Sequence, residues 1–336
     1  MNTNPDTPEM DLNPHIDPPI GLALGSGMAK GFAHIGVIKS LLKHNIKPVI
    51  IAGTSIGALA GGCYLTGKLN DLEEWGHSLN RMKILSYLDF RVRSAGLIGG
   101  RRLVKMLAEH FEDTMIEDLP APFVAIATDL VTGQEVWLRH GSLVKAMCAS
   151  YAVPGIFPPV EMDHRLLTDG ALVNPVPVAP CQALGSRLTI AVDLNSDLMG
   201  KARAPGQNYQ KIAGFDVFNE QDIAFEDQKK FLNSSITRRF FRREENNPSL
   251  FGVMISSMNI IQDRLTRSRL GGDPPDIHIK PKIGHIGLLE FERAEELIAE
   301  GERAADACIP DIYAGIKALL PETLRRNPGS DTDNQT

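Results

Sequence analysis

The chain has 336 residues, of which 43% are hydrophobic, and its formal net charge at pH 7 is −6. This length and composition suit one large or two smaller globular domains with an ample core, and the acidic balance argues against nucleic-acid binding, which needs a broad basic face. The four cysteines, Cys63, Cys148, Cys181 and Cys308, stand far apart. This spacing indicates neither a zinc site nor a disulfide framework and is typical of a reducing cytoplasm.

The two ends of the chain are polar. Residues 1–18 predict a disordered leader and residues 326–336 a disordered tail. The leader lacks the basic start and apolar centre of a signal peptide, and no apolar run reaches the roughly 18 residues that span a bilayer. We therefore expect a cytoplasmic protein, and peripheral contact with the inner face of a membrane stays open.

Short apolar runs alternate with helical patterns between these ends. Strands are predicted at 20–24 and 49–53, both buried, and at 123–130, 135–139, 188–194 and 276–281. Helices are predicted at 31–44, 56–67 and 291–309. This alternation predicts an α/β fold of three α/β/α layers around a mostly parallel central sheet. We divide the chain into a core at 19–195, a polar insertion at 196–248, and a segment at 249–325 that completes the domain.

The pentapeptide GTSIG, residues 53–57, matches G-x-S-x-G and has Ser55 at its centre. It follows a predicted strand and opens a predicted helix, and such a sharp turn presents a serine hydroxyl away from the sheet. Gly53 and Gly57 keep the turn free of clashes, and the helix N-terminus favours a developing alkoxide. This motif alone leaves two interpretations open: Ser55 is a nucleophile, or it caps the helix.

A glycine-rich loop follows the first predicted strand, and its members are Gly25, Ser26, Gly27, Met28, Ala29, Lys30 and Gly31. A dinucleotide site would need an acidic residue at the end of the second strand, which is absent. The loop also fails to match the phosphate-binding pattern G-x-x-x-x-G-K-[ST]. The remaining interpretation is an oxyanion hole made by backbone N–H groups near Gly27 and Met28. Lys30 adds positive charge there or is simply solvated.

A nucleophilic serine needs a base. Among nine histidines, only His285 stands on a late loop where a Ser-His-Asp hydrolase would place one; His34 is expected to pack or bond locally, and His164 lies in a turn. Asp169 is the better candidate, because it follows a short strand in an Asp-Gly turn where its carboxylate can project freely. A carboxylate that is partly desolvated beside a serine gains proton affinity. The alternative is that Asp169 only makes the turn.

These three elements in this order resemble the patatin-like phospholipase family, in its bacterial branch related to the neuropathy target esterase catalytic domain. They are GSGMAKG (25–31), GTSIG (53–57) and DGA (169–171, with Gly170 and Ala171), and the stretches at 128–133 and 150–160 are also similar. The resemblance implies a patatin-like fold with a Ser55–Asp169 dyad and an oxyanion hole around Gly27 and Met28. This sequence departs from the family pattern in having Lys30 for arginine, Met28 for glycine, and Asp-Gly-Ala for Asp-Gly-Gly.

The resemblance thus implies a serine hydrolase of lipid acyl esters, phospholipids or lysophospholipids, with no metal or cofactor. The alternatives are a hydrolase that uses Ser55 with His285, a non-catalytic lipid-binding or regulatory protein, and a nucleotide-binding protein. Two further stretches stay open: RRFFRR (238–243) is a membrane-contact candidate, and the apolar helical pattern at 250–261 either packs in the core or lines an acyl pocket. The sequence leaves the head group, chain length and oligomeric state unassigned.

Overall fold

The computed structural model describes residues 18–79, 101–111, 113–196 and 250–319. The strands of this part of the chain are β1 (Ile20–Leu24), β2 (Ile50–Thr54), β3 (Phe123–Asp129), β4 (Glu135–Leu138), β5 (Val160–Met162), β6 (Arg165–Asp169), β7 (Leu188–Val192) and β8 (Ile277–Ile279). The helices are α1 (Ala33–Lys43), α2 (Ile56–Leu65), α3 (Leu69–Ser78), α4 (Arg101–Phe111), α5 (Leu143–Ser150), α6 (Val178–Ala183), α7 (Leu250–Gly272), α8 (Ala294–Asp306) and α9 (Ile309–Leu319). Short 3-10 turns occur at Met28–Phe32, Ile116–Asp118, Gly170–Leu172 and Phe291–Arg293.

The strands form one sheet in the order β5-β6-β3-β2-β1-β7-β8, and β4 also pairs with β3. The run from β3 through β2, β1 and β7 to β8 is parallel. Antiparallel pairing is confined to β4, β5 and β6. The predicted α/β fold with a mostly parallel sheet is therefore confirmed.

Alternate residues of the central strands face two apolar layers. Leu22 and Leu24 of β1 belong to a large cluster with residues of α1, α2 and α8, whereas Ala23 belongs to a smaller cluster with residues of α6. Because side chains alternate across a strand, a strand buried on both faces carries mostly apolar residues on both of its faces. This explains the unbroken apolar run of β1 and gives the predicted three layers.

The helices α1 and α8 pack with their backbones in close contact. A Cβ atom added at Gly36 would lie 1.9 Å from the carbonyl oxygen of Ile298, and one added at Gly301 would lie 2.0 Å from that of Ala33. Only glycine allows this approach. The contact fixes the position of α1, which directly follows the glycine-rich loop.

The predicted strands are confirmed, with ends that differ by no more than two residues. The predicted helices correspond to α1, α2 and α8, and α2 ends before Gly67, whose φ is +71°. The apolar pattern at 250–261 forms the first half of α7. The predicted leader, insertion and tail, together with RRFFRR at 238–243, lie almost entirely outside the described residues.

The pairing of β3 decides where two candidate residues meet. Strand β4 pairs with Ala125–Thr128 of β3, so β2 and β6 must share the opposite edge of β3. On that edge Thr54 of β2 is opposite Ile126, and Asp169 of β6 is opposite the next residue, Ala127. Strands β2 and β6 therefore run toward each other and end at the same point.

Candidate active site

Ser55 occupies a strained turn between β2 and α2. Its φ of 58° and ψ of −122° are values that favour glycine. A Cβ atom at Gly57 would lie 2.1 Å from the carbonyl oxygen of Leu24, and one at Gly53 would lie 2.5 Å from Ala58. The flanking glycines are thus required by close backbone contacts.

The Ser55 hydroxyl makes no capping hydrogen bond to α2, so the interpretation of this serine as a helix cap is wrong. Its Oγ instead donates to Oδ2 of Asp169, and the two atoms are 2.6 Å apart. The Ser55 backbone N–H donates to Oγ of Ser150 at 2.8 Å, which holds the strained turn against α5.

Asp169 is the last residue of β6 and has only 2% of its surface exposed. The expectation that its carboxylate projects freely is wrong, because both oxygens are bonded within the protein. Oδ2 accepts from Ser55, and Oδ1 accepts from the Ala171 N–H at 2.7 Å. Burial raises the pKa of Asp169 to about 6, although these two hydrogen bonds act in the opposite direction.

The glycine-rich loop uses most of its N–H groups within the protein. Its backbone donors are bonded at Gly25 (to Val192), Ser26 (to Pro175), Ala29 (to Leu288) and Lys30 (to Gly27). Within the described part of the chain, the N–H groups of Gly27 and Met28 have no acceptor. These are the two donors that the sequence analysis assigned to an oxyanion hole, and both residues line the same cleft as Ser55.

Two basic side chains, one from α1 and one from the loop itself, are fully buried at this loop. His34 is fully buried, and its Nε2 lies 2.7 Å from the carbonyl oxygen of Gly25. Because a carbonyl only accepts, Nε2 carries the proton, and burial lowers the pKa of His34 to about 4. Lys30 is also fully buried, so its interpretation as a solvated lysine is wrong.

The cleft beside Ser55 is formed by the loop on one side and by α7 on the other. Its apolar lining comes from Met28, Val153, Ile255, Met258 and Leu288, and Asn259 and Gln262 add polar groups. The sequence left two interpretations of the apolar pattern at 250–261, a core helix or the lining of an acyl pocket. In the structure this part of α7 lines the cleft at two apolar positions, Ile255 and Met258.

The other candidates lie elsewhere. His285 is about half exposed, bonds Glu296 at 2.8 Å, and is not part of the cleft lining. His164 is exposed in the turn between β5 and β6. In the described segments no three His, Cys, Asp or Glu side chains come together as a metal-ion site. None of the described helices is both long and apolar enough to cross a bilayer.

Sequence reasoning missed two buried polar residues at the site, Ser150 and Asn195. Asn195 is 2% exposed, and its Nδ2 donates to the Ser26 carbonyl oxygen at 3.1 Å. Its position directly after the predicted strand at 188–194 could have indicated a polar residue at the same edge of the sheet as the site. Using that signal would have required knowing that β7 lies beside β1.

Comparison with known proteins supplies an independent view of the chain. Residues 22–181 match the family model described as patatin-like phospholipase. An uncharacterized NTE family protein of Mycobacterium tuberculosis is 35% identical over 325 residues, which cover 86% of this chain and 90% of that protein. The neuropathy target esterase sws of Drosophila melanogaster is 33% identical over 184 residues, which cover 53% of this chain and 13% of the fly protein.

Proposed function

The chain belongs to the patatin-like phospholipase family, in its NTE branch, and from this we propose that it is a serine hydrolase of lipid acyl esters. Ser55 is the nucleophile and Asp169 is the base. The observation that carries the proposal is the buried 2.6 Å hydrogen bond from Ser55 Oγ to Asp169 Oδ2. This bond joins a strained serine to a carboxylate of raised proton affinity.

In the first step Asp169 takes the hydroxyl proton while Ser55 Oγ attacks the ester carbonyl carbon. The carbonyl oxygen becomes an oxyanion that accepts hydrogen bonds from the N–H groups of Gly27 and Met28. The tetrahedral intermediate collapses, and the alcohol leaves with the proton from Asp169. Water then attacks the acyl-enzyme while Asp169 takes its proton, and that proton passes to Ser55 Oγ as the acid is released.

The electrostatics of the site suit this cycle. With a pKa of about 6, Asp169 is ionised at pH 7 but holds a proton more readily than a solvated carboxylate. The N-terminus of α2 adds positive potential beside Ser55. The proposed chemistry uses no metal or cofactor.

The proposed substrates are phospholipids or lysophospholipids. An acyl chain would lie between the loop and α7, against Ile255 and Met258. Burial of such a chain removes apolar surface from water and favours lipid esters over small polar ones.

The first experiment measures p-nitrophenol release from short- and medium-chain p-nitrophenyl esters. Wild type, Ser55→Ala, Asp169→Asn and His285→Ala are compared, each checked for folding by circular dichroism. We expect turnover by the wild type and His285→Ala and none by the other two variants. Loss of activity in His285→Ala with retention in Asp169→Asn would favour the histidine mechanism. An inactive wild type that still binds lipid vesicles would favour the alternative, a non-catalytic lipid-binding or regulatory protein.

We also propose peripheral membrane contact. The outward side of α7 exposes Val253, Ile260 and Ile261, at 47%, 48% and 57%, and the sequence RRFFRR at 238–243 joins arginines to phenylalanines. Co-sedimentation with anionic vesicles tests the contact, using wild type and a variant in which the four arginines become glutamate. Equal binding by both proteins would contradict a role for RRFFRR, and absence of binding by the wild type would contradict membrane contact.

A further inference from the structure

Asn195 lies against the glycine-rich loop, yet the chemistry proposed above does not use it. It is the third residue after β7, and β7 pairs with β1 so that Val192 is opposite Leu24. Residues that follow these two parallel strands therefore meet at the same edge of the sheet. There Asn195 Nδ2 donates to the Ser26 carbonyl oxygen at 3.1 Å.

The Ser26 carbonyl and the Gly27 N–H belong to the same peptide unit. A trans peptide is planar, so its C=O and N–H bonds point in opposite directions. A hydrogen bond that holds the carbonyl on one side of the loop thereby fixes the direction of the N–H on the other side. The orientation of the Asn195 amide is also determined, because a carbonyl oxygen accepts only from the NH₂ group.

We propose that Asn195 is a positioning residue that aims the Gly27 N–H at the developing oxyanion. This inference rests on the proposed function, since an oxyanion forms only if Ser55 attacks an ester. The neighbouring peptide is held differently: the Gly27 carbonyl accepts from the Lys30 N–H at 3.1 Å. Asn195 thus controls one of the two donors without touching the substrate.

Asn195 is itself held by the end of the sheet. Its backbone N–H donates to Oδ1 of Asp193 at 2.9 Å, and Asp193 is 4% exposed. The Asp193 N–H donates to the Ile279 carbonyl of β8, and His278 Nε2 lies 3.5 Å from the second carboxylate oxygen. The amide therefore projects from a rigid turn.

A purely structural role explains Asn195 poorly. Its Oδ1 is buried and has no hydrogen-bond partner in the part of the chain that the structure describes. A buried polar atom without a partner lowers stability. The side chain gains only the bond to the loop, and that bond determines where an N–H points.

The test compares Asn195→Ala and Asn195→Asp with wild type and Asn174→Ala. Aspartate keeps the shape of asparagine but cannot donate to the Ser26 carbonyl when ionised. Asn174 is a matched control, because it is 3% exposed but donates its amide to Glu135 at 2.8 Å and not to the loop. The fraction of active enzyme is first measured by titrating Ser55 to completion with a fluorophosphonate.

Two readouts then follow: kcat and KM for a p-nitrophenyl ester, and the Ki of a trifluoromethyl ketone that carries the same acyl chain. Ser55 Oγ adds to the ketone carbon, its proton passes to Asp169, and the ketone oxygen becomes an oxyanion in the hole. Loss of an oxyanion donor costs about 100- to 1,000-fold in kcat, so loss of its positioning residue should cost about 10- to 100-fold. The KM of the Asn195 variants should equal that of the wild type, and their Ki for the ketone should rise in parallel with the fall in kcat/KM.

The outcomes are distinct. A fall in kcat per active site with a parallel rise in Ki, absent in Asn174→Ala, supports the inference. Wild-type kcat in both Asn195 variants, or a loss explained by the active fraction or by KM alone, overturns it and leaves the proposed function intact. A wild type without turnover contradicts the proposed function and this inference with it.

Discussion

The raised pKa of Asp169 predicts an acid limb in the pH dependence of kcat/KM. The protonated carboxyl cannot accept the Ser55 proton, so activity should follow the ionised fraction. With a pKa of about 6, that fraction is about nine tenths at pH 7 and about one tenth at pH 5. We therefore expect kcat/KM to fall about tenfold from its plateau by pH 5 and about 100-fold by pH 4.

The assay is hydrolysis of an uncharged p-nitrophenyl ester from pH 4 to pH 8, with unfolding controls at each pH. A histidine base would give a similar limb, and temperature separates the two: the pKa of a carboxylate barely changes on warming, whereas that of an imidazole falls. NMR titration of Asp169 in Ser55→Ala adds a second check. Because the bond from Ser55 lowers the pKa, its removal should raise that pKa further. An activity limb near pH 4 would refute the argument that burial tunes this base.

Three further substitutions test the backbone strain, close packing and buried histidine that hold the site in place. Ser55→Gly should exceed Ser55→Ala in free energy of unfolding by about 1–2 kcal/mol, because glycine relieves the positive φ of 58°; the reverse order in urea titrations would show an unstrained turn. Gly57→Ala should abolish activity and lower the free energy of unfolding by about 1–3 kcal/mol, because its Cβ would lie 2.1 Å from the Leu24 carbonyl oxygen. Gly271→Ala is the control, because a Cβ there meets nothing within 4 Å. Burial lowers the pKa of His34 to about 4, so the folded protein binds a proton at this residue less readily than the unfolded chain. The contribution of neutral His34 to the free energy of unfolding is therefore complete above pH 6.5 and falls by about 3 kcal/mol as the pH drops to 4. His34→Gln should reduce that acid-induced loss relative to wild type, and an identical pH dependence would contradict the assignment.

The sheet core was predictable because its strands carry a strong local signal. Strands buried on both faces are almost entirely apolar, as at 20–24 and 188–192, where Thr189 is the one polar residue, and Gly25 marks the turn after the first of them. The glycine-rich loop and Ser55 each follow one of two predicted parallel strands. Because the carboxyl ends of parallel strands lie at the same edge of a sheet, the sequence was enough to predict that the loop and Ser55 are close together. Local pattern was sufficient wherever pairing was parallel and sequential.

Long-range pairing explains what the sequence missed. Strand β6 is antiparallel to β3 and meets β2 end to end, so the burial of Asp169 depends on a pairing that no local pattern shows. Asn195 contacts Ser26 across 169 positions of sequence. Its role depends on β7 lying beside β1, and strand order is not encoded by the period of apolar residues.

Met28 combines a strained backbone with a side chain that lines the cleft beside Ser55. It has a positive φ of 50°, where a glycine would be relaxed, and its side chain narrows the cleft beside Ser55. Met28→Gly should relieve about 1 kcal/mol of strain but remove a side chain that is only 9% exposed, which contributes about 1.5–3 kcal/mol. Burial is the larger effect, so we expect a net loss of about 0.5–2 kcal/mol in the free energy of unfolding measured by urea titration.

The same change should widen the cleft and alter selectivity. The ratio of kcat/KM for a bulky branched acyl ester to that for a short straight one should rise in Met28→Gly. Met254→Ala is the matched control, because this methionine lies on α7 against Gly155 and outside the cleft lining. An unchanged ratio in Met28→Gly, or an equal rise in Met254→Ala, would contradict the view that Met28 limits entry. A rise confined to Met28→Gly would indicate that the strained methionine in the glycine-rich loop selects the acyl group.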